Sequence, residues 1–229
     1  MTRDELQREF IGKIQRCIDR YQPILEEQFR VDLGRVVAKP LIVGEFIDHC
    51  FAKGREQLRR ETLAKHGREP TSLRWAMYRL EELVTRPLGS MLTYARFWFP
   101  EFIMKSVSNP SAVIVSFLGW SKSDFMKPTV CLDQWTVHEL AHNVWCCLAN
   151  DEFEDHDRRW RIWNEGFAHY VADVSMRHHY PSNVEVDTDW SGDREDGKCL
   201  LAAHIQDQGK KALISIPGSW RTLDTAASE

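Results

Sequence analysis

Apolar residues recur at helical intervals over much of this chain. Between residues 3 and 30, Leu6, Phe10, Ile14, Cys17, Ile18, Tyr21 and Leu25 fall every three or four positions, which predicts a helix with one buried stripe and an interruption at Pro23. After Gly34 the pattern changes to a β-branched run, Val36, Val37, Leu41, Ile42 and Val43, and predicts a strand within 34–43 despite Pro40. Helical spacing returns over 45–65 and 71–98, divided by the polar turn His66-Gly67-Arg68-Glu69-Pro70. The second of these helices carries Trp75, Tyr78, Tyr94, Phe97 and Trp98, with Phe99 just beyond, and reads as core or as a covering surface rather than as a cofactor box.

Asn109-Pro110 marks a turn, and the uninterrupted apolar run at 112–118 is the clearest strand in the chain. A shorter strand over 129–132 is expected to lead directly into a helix capped by Asp133. Further helices are expected at 164–178 and at 194–208, the latter closed by Gly209, and a polar tail follows Trp220. Repeats and low-complexity segments are absent. The expected fold is α+β and zincin-like, mostly helical, with a small mixed sheet preceding the helix at 133 and a helical C-terminal part. It is read as one domain over 1–229, in which 1–105 is a mainly helical N-terminal region with a strand at 34–43, and 106–229 is the core.

Composition narrows the function classes. Hydrophobic residues are 43% and charged residues 28% of the chain, ordinary values for a globular protein. A net charge of -4 with both signs interspersed gives no footprint for nucleic acid or an anionic membrane, so neither is an expected partner. The amphipathic start Met-Thr-Arg-Asp-Glu-Leu lacks the features of a secretory signal, and a cytoplasmic location is expected. The six cysteines show no CxxC spacing and read as buried free thiols.

The chemistry concentrates in His138-Glu139-Leu140-Ala141-His142. Residues four apart on a helix share a face one turn apart, so both imidazoles reach a single ion. Glu139 lies beside that face, placed to take a proton from water rather than to ligate. Val137, Leu140, Ala141, Val144 and Leu148 form an apolar stripe that buries the helix. Thr136-Val137-His138-Glu139 also fits a capping box, but a helix starting at Asp133 leaves Glu139 inside it and free for chemistry.

Downstream stands Trp163-Asn164-Glu165-Gly166-Phe167-Ala168-His169-Tyr170. With the first motif, this stretch resembles the gluzincins, the HExxH zinc metallopeptidases that include thermolysin and the zinc aminopeptidases, and it is most similar to their minimal members. The likeness runs from about residue 110 to 222. It implies one zinc ion per chain held by His138, His142 and Glu165, with Glu139 as general base and Asn164 supporting the site. The simpler reading of Glu165 is that it complements the positive end of its own helix. His169 stands where thermolysin-like enzymes have an aspartate that braces a ligand histidine, and is expected near the metal site, with Asp173 one turn on. Tyr180 is expected to stabilise the oxyanion that forms on the substrate. A metzincin site is excluded, because Trp145 and Leu148 stand where that motif needs Gly and His. The Gly-x-Met-Glu-Asn element of the zinc aminopeptidases is also missing.

Three protein ligands leave one coordination position open, and water bound there has a pKa near 7. The resemblance implies a peptide or protein substrate, laid along an edge strand supplied by 112–118 or 129–132. The alternative is a latent precursor or a catalytically silent, zinc-stabilised peptide-binding module, with Cys199 as a candidate to block the open position. A metal-free helical interaction protein would require both motifs to be coincidental.

Overall fold

A computed structural model describes residues 2–98, 104–107, 111–118, 120–127, 129–149, 158–180, 193–209, 211–220 and 223. The chain divides into two compact units, one formed by Met1–Lys39, Met104–Val115 and Trp120–Glu229, the other by Pro40–Ile103 and Ser116–Gly119. The described residues are mostly helical. The first unit contains α1 (Arg3–Phe29), α4 (Thr129–Ala149), α5 (Arg158–His179), α6 (Asp193–Gln208) and α7 (Ala212–Ser219), and the second contains α2 (Val43–His66) and α3 (Ser72–Trp98). The strands β1 (Val37–Pro40), β2 (Met104–Val107) and β3 (Ala112–Val115) form a sheet in the order β1-β3-β2, with β2 antiparallel to β3. No described helix is long and apolar enough to cross a membrane.

The stripe expected on α1 is buried along its whole length, from Leu6 to Phe29. Thr2 and Glu5 satisfy each other's backbone N–H groups in a capping box at its start. Pro23 does not interrupt it: the helix runs continuously through that position. α4 is apolar on nearly every side, and α1, α5 and α7 pack around it while β2 and β3 lie against it. The rings of Trp145 and Phe29 both meet Phe167 at centroid separations of 5.5 Å, which joins α4 and α1 to α5.

Two boundaries and the sheet edges differ from the sequence expectation. The segment 129–132 is the first turn of α4 rather than a strand, so Asp133 is buried inside the helix and does not cap it. β-branched and thiol side chains tolerate either conformation, and burial of Leu132 and Asp133 within the helix decides the matter. β3 is the central strand, so neither segment expected to offer a free edge does so; β2 and β1 are the edges. α5 begins six residues earlier than expected, at Arg158, which puts Glu165 about two turns inside it. The Asn109-Pro110 turn and the charged loop from Asp151 lie outside the described residues.

Candidate metal centre

His138 and His142 lie one turn apart on α4, and α5 crosses that helix with Glu165 facing them. The Nε2 atoms of His138 and His142 are 3.1 Å apart. Glu165 Oε2 is 3.5 Å from the first and 3.9 Å from the second. Donors bound to a tetrahedral zinc at about 2.0–2.1 Å stand about 3.4 Å from one another, so the spacing of these three atoms suits one such ion. The chemistry of the set agrees: two imidazole lone pairs and a carboxylate converge on one point, an arrangement that a cation satisfies. Glu139 belongs to the same cluster, its carboxylate and the two histidines offering ligating atoms within 4.8 Å of one another.

Burial gives the site a direction. His138 is 5% exposed at its side chain, whereas Glu165 is 28% exposed, so solvent reaches the cluster from the glutamate side. Glu139 is buried. It lies about three turns into α4, and Glu165 lies about two turns into α5, so neither acid serves a helix start by capping or by the helix dipole.

His142 is pushed below the ordinary histidine pKa, first by burial and then by the neighbouring His138, against the opposing pull of Glu165, Glu139 and the side chain of Asn164. The neutral imidazole is the form that ligates a metal. The Nε2 atom of His142 is turned toward His138 and Glu165.

His169 is buried, its ring centroid 6.5 Å from that of His138. Lys198 of α6 stands 3.5 Å from His169 Nε2 and donates to Asp173 Oδ2 at 2.5 Å. An ammonium has only N–H groups to offer, so His169 accepts at Nε2. Asp173 is thus engaged by Lys198, with His169 beside the same ammonium. The Tyr180 hydroxyl, expected at the reacting carbonyl, donates instead to Asp133 at 2.5 Å. Asp133 also accepts from Tyr21 and from the Cys17 thiol, each at 2.9 Å, and from Arg20 at 3.2 Å. Burial and this carboxylate push the Cys17 thiol up to about 12 and raise the phenols of Tyr21 and Tyr180.

Lys198 and the Asp133 cluster were not singled out from the sequence. One signal for Lys198 was present: Gly197 interrupts a helix, and such a glycine often marks a close backbone approach. A Cβ at Gly197 would lie 1.9 Å from the Ile162 carbonyl oxygen, and one at Gly166 would lie 2.2 Å from the Gly197 carbonyl carbon. The backbones of α5 and α6 therefore touch beside Glu165, and that contact carries Lys198 to His169. The chain matches no protein-family model, no curated protein and no solved structure.

Proposed function

We propose that this chain is a zinc-dependent metallopeptidase of the gluzincin kind, with a zincin-like fold, whose zinc is held by His138, His142 and Glu165. One observation supports this above the others: two histidine nitrogens from α4 and a carboxylate oxygen from α5 lie 3.1–3.9 Å apart, with a second carboxylate, Glu139, in the same cluster. A zinc ion in that position supplies Lewis acidity, which activates water and polarises a carbonyl. Glu139 takes the proton from the attacking water and returns it to the leaving amine. Asn164, which precedes Glu165 on α5, supports His142. The substrate is a peptide or protein held extended by strand addition on β2, which is packed on α4 and is an edge strand among the described residues.

Elemental analysis of chain purified without added metal is expected to find zinc in equimolar amount. Glu139→Gln keeps that zinc and loses cleavage across a mixed peptide library by about 100-fold or more, while His138→Ala loses both. A wild-type chain that holds zinc and cleaves no peptide is the silent binding module. A chain that takes up no divalent ion at all ends the proposal.

A further inference from the structure

α3 is turned the wrong way round for its own hairpin. Its polar side faces α2: Glu82 pairs with Arg55 at 2.8 Å, Arg86 pairs with Asp48, and the Tyr78 hydroxyl reaches the Phe51 carbonyl oxygen. Its apolar side is open. Leu73, Met77, Leu80, Val84, Met91 and Tyr94 are between 50% and 72% exposed, although an amphipathic helix ordinarily buries such a face.

The spacing of these residues is regular. With Pro87, which is also exposed, they alternate steps of four and three along the helix, the heptad seam by which one helix packs against another. Such a seam runs nearly the length of the helix, which suits an elongated helical partner rather than a flat surface. Leu83 and Leu88 widen the seam on either side. Each side chain leaves on the order of 100 Å² open, so these nine reach the about 800 Å² per partner of a stable protein–protein interface. Most monomers expose no apolar patch beyond about 300–600 Å².

Charge selects the partner. The charges of the hairpin are largely satisfied within it, by Arg55 with Glu82, Arg86 with Asp48, and Arg59 with Glu69. Directly beside the seam Arg74 and Glu81 carry opposite signs, so no block of one sign there favours an anionic lipid or an acidic peptide. A heptad-spaced face flanked by charges of both signs, with about the open area that a stable dimer needs, is complementary to itself on a 27-residue helix. We propose that the chain forms a two-fold symmetric homodimer through the exposed face of α3.

Sedimentation velocity and light scattering of the whole chain over a concentration series test this. The wild type is expected to be a dimer. The pair Leu80→Glu with Val84→Glu weakens the dimer by at least about tenfold, with helix content and zinc content unchanged. If that pair fails to fold, Met77→Lys with Met91→Lys gives the same reading. A wild type that stays monomeric at every concentration overturns the proposal, and so does a folded variant that dimerises as tightly as the wild type. Flotation of a monomeric wild type with phosphatidylserine-containing vesicles also overturns it, in favour of a lipid surface.

Discussion

Asp133 has no exposed surface, yet it accepts hydrogen bonds from four side chains, three of them on α1 and one just past α5. Asp133→Ala deletes a buried carboxylate and strands two phenols and a thiol, and is expected to destabilise the fold by on the order of 3 kcal/mol; a urea titration measures it. Activity per folded molecule should change far less than stability, because Asp133 lies outside the metal cluster. His142 gives a pH signature. Its folded pKa is depressed, so the stability it contributes is present above the ordinary value of 6.5 and is lost as pH falls below it. The chelator-treated chain is therefore expected to lose stability as pH falls below that value, and His142→Gln should flatten that slope. The histidine pair and the adjacent glutamate could be read from the chain because helix geometry alone sets their relation. The Asp133 cluster could not, since three of its donors lie more than a hundred residues away in sequence.

Among the elements, the long helices were legible because their 3.6-residue period is local, and they match the expected spans within a few residues except at the starts of α4 and α5; the short α7, interrupted by Pro217, was not expected. The start of α4 carried its own signal: Pro128 precedes Thr129, and proline is favoured at a helix opening, but the β-branched residues that follow read as a strand. The orientation of α3 was not legible, because amphipathicity reveals that a face is apolar without saying what covers it. The contact between α5 and α6 rests on two glycines. Gly197→Ala would push a methyl group into the Ile162 carbonyl, a backbone atom that cannot rotate aside, and is expected to cost at least the about 1–3 kcal/mol of ordinary overpacking. Thermal unfolding measures that loss. Because Gly197 neighbours Lys198, the same variant should weaken zinc retention, whereas Cys199→Ser, at an exposed position on the same helix, should leave both unchanged.

At the scale of the molecule, a metal held between α4 and α5 ties the two together. Binding to the folded chain alone adds about 4 kcal/mol when free zinc is a thousandfold above its dissociation constant. Chelation should therefore lower the melting temperature by roughly 10 °C, and scanning calorimetry with and without chelator checks it. Glu165→Ala should shrink that difference, since it removes the only cluster ligand that comes from α5. α4 is enclosed by three helices and two strands. Its amide protons should then exchange with deuterium only when the whole unit unfolds, more slowly than those of any helix around it. The two imidazoles would keep their spacing through every smaller fluctuation, and an arriving ion would find its pocket already built.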